Sequence, residues 1–118
     1  MVRVPDFSST VLLLTRNGMG FGDEALQKQL LKNYLAMILE NGDLPSAICF
    51  YTEGVRLVTE GSPVLEPLQD LEQKGVRLIA CRTCLAFYGL TASLKVGVAG
   101  GLGDILEAEG RAQKVISL

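Results

Sequence analysis

The chain has 118 residues, a formal net charge of −2, 48% hydrophobic and 20% charged residues, three cysteines, and neither histidine nor tryptophan. That length supports one core rather than two. The charge balance, the absence of a Lys/Arg run and the scattered aromatics argue against a nucleic-acid partner. No stretch is apolar for long enough to cross a bilayer, and MVRVPDFSS has no signal-type apolar core, so the sequence reads as cytoplasmic with no membrane partner.

In chain order, residues 1–10, with Pro5, are expected to be a loose lead-in, and residues 11–118 the single domain. Val11–Leu14 is a continuous apolar run ended by Thr15, a buried-strand candidate. After the glycine-rich RNGMGFG, Asp23 is a good N-cap for a helix from Glu24 to Glu40. Leu26, Leu30, Tyr34 and Met37 interleave there with Leu31, Leu35 and Ile38, giving an apolar face wide enough for the sheet and a neighbouring subunit. With the apolar excess of the whole chain, this predicts a homo-oligomer.

Asn41, Gly42 and Pro45 stop that helix and lead into a second strand over Ser46–Tyr51. Thr52–Thr59 fits either a short helix or an irregular return. Leu65, Leu68 and Leu71 mark an amphipathic helix within Val64–Lys74, stopped by Gly75. Val76–Ala80 is a third strand, Thr83–Tyr88 a brief helix closed by Gly89, and Leu94–Ala99 a fourth strand. Gly100, Gly101 and Gly103 are expected to form a flexible loop, Asp104–Gly110 two helical turns, and Lys114–Leu118 a last strand. The alternation predicts an α/β fold: a mainly parallel sheet of about five strands between helical layers. Such sheets bind ligands beyond the carboxyl ends of their strands. RNGMGFG, the Thr52–Gly54 turn, the cysteines and AGGLG should converge there.

The chemistry-bearing motif is LIACRTCLAFYGL. It places Cys81 and Cys84 in a C-x-x-C at a strand-to-helix turn, one helical turn apart. Free N–H groups and the positive end of the helix dipole favour a thiolate at Cys81. With no histidine in the chain, activation must come from such dipoles or from cations, with Arg16 and Arg82 as candidates. Cys49 lies in the apolar run Ala47–Tyr51 and reads as core. Three cysteines in a reducing compartment do not make a disulfide framework. Asn17, Gly18 and Gly20, Thr52 and Gly54, and Arg82 and Thr83 are the candidate substrate-binding residues. The glycines of RNGMGFG fit neither a dinucleotide fingerprint nor a Walker loop, and serve either a tight turn or an anion at the helix N-terminus. One C-x-x-C without histidine falls short of a closed zinc site within one chain; a site shared between subunits or completed by Asp or Glu stays open, as does a thioredoxin-like redox role.

Taken together, NGMGFGDEAL, FYTEGVRLVTEGSPVLEPLQDLEQKGV and CRTCLAFYGL resemble the DsrE/DsrF-like domain at the C-terminal end of YedF-type proteins, which are named as sulfurtransferase-like selenium metabolism proteins. The resemblance spans Val11 to Leu118. It implies a DsrE-like three-layer sandwich and a persulfide carried on Cys81, with Gly89 matching the glycine that closes the following helix and Cys84 belonging to the narrower YedF-like pattern. The TusA/SirA-like domain that usually precedes this unit does not precede Val11, which implies a separate donor or acceptor protein of that kind. The loop VGVAGGLGD is more apolar than the polar segment expected after that strand.

The expected function is therefore that of a sulfurtransferase or sulfur carrier without a cofactor. Cys81 takes sulfane sulfur as a persulfide and Cys84 is able to resolve it. A link to selenium rests on the resemblance alone. The alternative is a non-catalytic subunit whose cleft holds a small anion or a partner loop.

Overall fold

The computed structural model describes residues 6–118. Five strands form one all-parallel sheet in the order β4-β3-β2-β1-β5. They are β1 (Thr10–Leu14), β2 (Ala47–Phe50), β3 (Arg77–Cys81), β4 (Val98–Gly100) and β5 (Lys114–Ser117). The helices are α1 (Glu24–Asn41), α2 (Leu65–Gln73), α3 (Arg82–Phe87) and α4 (Leu102–Arg111). Strands β1 and β2 are buried along their whole length, as is β3 apart from Arg77, whereas β4 and β5 are mostly exposed. This is why the three central strands read as continuous apolar runs: each is covered on both faces.

The chain steps from β1 outward to β4, then returns past β1 to place β5. Right-handed crossovers in opposite directions put their helices on opposite faces. Helices α1 and α2 pack against each other, while α4 lies along β3 and β4. In α1 the buried residues Leu31, Leu35 and Ile38 recur at steps of four and three, and the Asp23 carboxylate accepts the Ala25 N–H at 3.0 Å. Leu26, Leu30 and Met37 on the same helix stay exposed.

Three expectations are corrected. Residues 1–5 of the lead-in lie outside the described residues, but Asp6–Ser9 is fastened rather than loose: the Ser9 carbonyl accepts the Gln113 and Lys114 N–H groups at 3.0 and 3.2 Å, and Lys114 sits over the Phe7 ring. The fourth strand does not begin at Leu94. Leu94 bridges Thr59, and the Lys95 N–H donates to the Val58 carbonyl at 2.9 Å, so this backbone is engaged away from β3 until Val98. The glycines after it are not a flexible loop. Gly100 belongs to β4, and the Gly101 N–H donates to the Asp104 carboxylate at 2.9 Å, which caps α4 and lets it begin at Leu102.

Thr52–Val58 resolves as a 3-10 helix of seven residues, long for that conformation. Its buried residues are Gly54, Val55, Leu57 and Val58, two pairs spaced by three, which matches the three-residue turn. Gly54 is required by close approach: a Cβ there would lie 1.9 Å from the Leu14 carbonyl oxygen. The segment is thus pressed against the end of β1, and its first residues lie beside the cysteines.

Candidate functional site

Cys81 is the last residue of β3 and the N-cap of α3, the strand-to-helix junction expected from the sequence. It is not the reachable thiol that the sequence suggested, being only 2% exposed. Its backbone pairs with Gly100 of β4, so the sheet continues beside it. Cys84, one turn into α3, is half-buried, and both thiols are free, as is the third at Cys49. Burial raises the Cys84 thiol above its ordinary range, the Cys81 thiol beside it adds to the rise, and the N–H of Thr52 opposes it.

The Thr52 N–H donates to Cys84 Sγ at 3.1 Å. It can do so because Thr52 has φ 49, the left-handed region that β-branched residues avoid, and it is the only non-glycine residue at positive φ among those described. The strained conformation is pinned by its side chain, whose hydroxyl donates to the Thr15 carbonyl at 2.7 Å. A threonine held in this region by neighbouring contacts marks a position where the backbone is aimed at something. Here it is aimed at a sulfur.

Beside this pair stands a charged rim that the sequence reading passed over. Arg56 pairs with Glu53 at 2.6 Å, and its guanidinium lies 4.6 Å from the centre of the Tyr88 ring. The Tyr88 hydroxyl titrates above its usual range, first through desolvation and then through the Glu53 carboxylate; the Cys84 charge adds to the rise. The signal was present in TEGVRLV: Glu53 and Arg56 share the three-residue spacing of the buried pairs, so they occupy one exposed edge of a 3-10 helix.

The structure sorts the other candidates. Asn17 lines a cleft of about 500 Å³ with Arg16, Phe21, Glu24, Gln27, Glu53 and Arg56, next to Thr52. Gly18 and Gly20 serve the turn. The Met19 N–H donates to the Gln27 carbonyl at 3.0 Å, Gln27 Nε2 donates to the Gly20 carbonyl at 2.9 Å, and a Cβ on Gly18 would meet the Gln27 side chain at 2.6 Å. Gly54 is buried and packs on β1. Arg82 and Thr83 are exposed on the first turn of α3, without hydrogen bonds to the other candidates among the described residues. Among the described residues no group of three or more Cys, Asp or Glu side chains is placed to hold a metal ion, and no helix is long and apolar enough to cross a membrane.

The chain is thus a small α/β protein with a five-strand all-parallel sheet flanked by helices, in which Cys81 closes the third strand. The chain belongs to the DsrE/DsrF-like family, whose model matches residues 12–118. Among solved structures it is similar to the ychN protein from E. coli, with 21% identity over 94% of this chain and 99% of that one and a TM-score of 0.66. It is also similar to MTH1491 from Methanobacterium thermoautotrophicum, a protein of unknown function, with 25% identity over 94% and 99% of the two chains and a TM-score of 0.65. BT1422 from Bacteroides thetaiotaomicron, likewise of unknown function, is 16% identical over 93% and 95% with a TM-score of 0.64. No curated protein matches significantly. The five-strand parallel sheet flanked by helices is the fold these structures share.

Proposed function

We propose that the protein accepts sulfane sulfur on the Cys81/Cys84 pair and passes it to the thiol of a partner protein, of the TusA/SirA-like kind that the sequence suggests. One observation carries the reading: Cys84 Sγ, partly open to solvent and beside Cys81, accepts the strained Thr52 N–H at 3.1 Å. Because Cys81 is 2% exposed, the first attack falls to Cys84. Its thiolate attacks the outer sulfur of a persulfide R–S–SH. A new S–S bond forms, the old one breaks, and R–S⁻ leaves with the electron pair. Cys81 then takes the outer sulfur from Cys84 by the same displacement, regenerating Cys84 as thiolate, and the reverse sequence hands the sulfur out. Each step is an isovalent exchange, so neither oxidant nor reductant is consumed. The Thr52 N–H steadies the thiolate that each step forms or uses.

The test is mass spectrometry of intact protein and peptides after exposure to a persulfide donor. Wild type should gain sulfur on the pair, Cys81→Ser should hold it on Cys84 alone, and Cys84→Ser should gain none. Absence of added sulfur from both cysteines of the wild type overturns the proposal. The YedF-type affiliation, the selenium link, a cytoplasmic location and a homo-oligomer covering Leu26, Leu30 and Met37 belong to the same proposal.

The burial of Cys81 favours a second reading, a binding subunit whose cleft holds a small anion or a partner loop while the thiols stand by. A Cys84 that never forms a mixed disulfide with a partner or donor, in a protein that binds the partner equally well as Cys84→Ser, would select it.

A further inference from the structure

We propose that the Cys81/Cys84 pair is also a thiol–disulfide couple, which exchanges with small disulfides and closes as an internal disulfide, an activity separate from sulfur carriage. The inference stands on where the three thiols lie and does not require the sulfur-carrying role. Cys81 is the N-cap of α3 and Cys84 its third residue. Helix geometry sets the Cα atoms of residues so placed roughly 5 Å apart, inside the span of about 4.4 to 6.8 Å that a disulfide bridges. The Cys81 thiol is already close enough to Cys84 to raise it, so closure needs side-chain rotation and no movement of backbone. The third thiol is out of range. Cys49 stands opposite Ile79 in the β2–β3 register, two residues short of Cys81. Strand spacing and rise put its Cα roughly 8 Å from that of Cys81, beyond the limit of about 7 Å for a bridge. That leaves Cys81 with Cys84 as its partner.

Exposure assigns the order of events. Cys84 is partly open and Cys81 is 2% exposed, so an incoming disulfide R–S–S–R meets Cys84 first. The Cys84 thiolate bonds to one sulfur, the R–S–S–R bond breaks, and R–S⁻ leaves with the electron pair. Cys81 then gives its proton to solvent and attacks Cys84 Sγ; the mixed disulfide breaks and the second R–S⁻ leaves. The pair has lost two electrons and the small disulfide has gained them. Cys81 is sheltered from a second molecule of R–S–S–R yet adjacent to the mixed disulfide, so the attack within the chain prevails. The Thr52 N–H reports the change. It donates to Cys84 Sγ at 3.1 Å, and a thiolate is a stronger acceptor than a disulfide sulfur, so closure weakens this contact. A dithiol reverses the sequence, and the same N–H favours reopening by receiving the Cys84 thiolate.

In the experiment the full chain, reduced and freed of reductant, is mixed with glutathione disulfide and quenched in acid. The released glutathione is counted and the protein is mapped by mass spectrometry. Wild type should release two glutathiones per chain and link the peptides of Cys81 and Cys84, with Cys49 left as a thiol. Cys81→Ser should release one and keep the other as a mixed disulfide on Cys84, and Cys84→Ser should release none over the same exposure. The Thr52 amide resonance of wild type should shift on closure and return when dithiothreitol is added. A wild type that releases one glutathione and retains the other on Cys84, or that releases none, overturns the inference whatever the variants do. The assay contains no persulfide, so that failure leaves the sulfur-loading test of the wild type to be decided separately.

Discussion

Cys49 and Cys84 are the same side chain in two parts of one sheet, the dry middle of β2 and the rim beyond β3. Burial lifts both thiols, Cys49 to about 11 through desolvation and then through the charge of Glu109. Cys49 is 0% exposed and accepts no side-chain hydrogen bond among the described residues, whereas Cys84 is partly open and accepts the Thr52 N–H. A raised pKa by itself therefore says little about use. What separates the two is a donor aimed at the sulfur and a path to it. The rim obtains both without being loose, since the residues that build it are clamped to β1 by Thr52 and Gly54.

The largest expected effect is in alkylation. Cys49 is accessible only when the core opens, so native protein should alkylate Cys84 at least ~1000-fold faster than Cys49. Comparable rates by peptide mass spectrometry would erase the distinction between middle and rim. Next comes the clamp. Gly54→Ala drives a Cβ into the Leu14 carbonyl and should cost about 3 kcal/mol or more in urea unfolding, since backbone must move from backbone. A loss under about 1 kcal/mol would mean that the rim yields easily. The smallest effect is a pH dependence. Cys49 ionises near 9.0 when unfolded and near 11 when folded, so the unfolded state sheds its proton first. Its contribution to stability is whole below pH 9.0 and is lost between there and about 11, by roughly 2 kcal/mol. The difference between wild type and Cys49→Ala should narrow over that window, and a constant difference would show that the middle of β2 is wetter than it looks.

Much of the fold was legible because period and punctuation are local. Val11–Leu14, Ala47–Phe50 and Leu78–Ala80 announce buried parallel strands by being apolar without a break, and Asp23 and Gly42 bound α1. The turn role of Gly18 and Gly20 was one of the two readings the spacing allowed. The register of β4 was not legible, because whether Leu94–Gly97 joins the sheet depends on Thr59 and Val58, more than thirty residues earlier.

The site divides in the same way. The sequence by itself determined that a C-x-x-C stands where a strand becomes a helix, in a chain with no histidine to help it, because that is a matter of neighbours along the backbone. Only the tertiary structure decided which thiol is reachable, that Thr52 is twisted to face it, and that Glu53, Arg56 and Tyr88 gather beside it. Exposure and hydrogen bonding belong to groups brought together across the sheet, and no spacing within one segment encodes how far its neighbours will cover it.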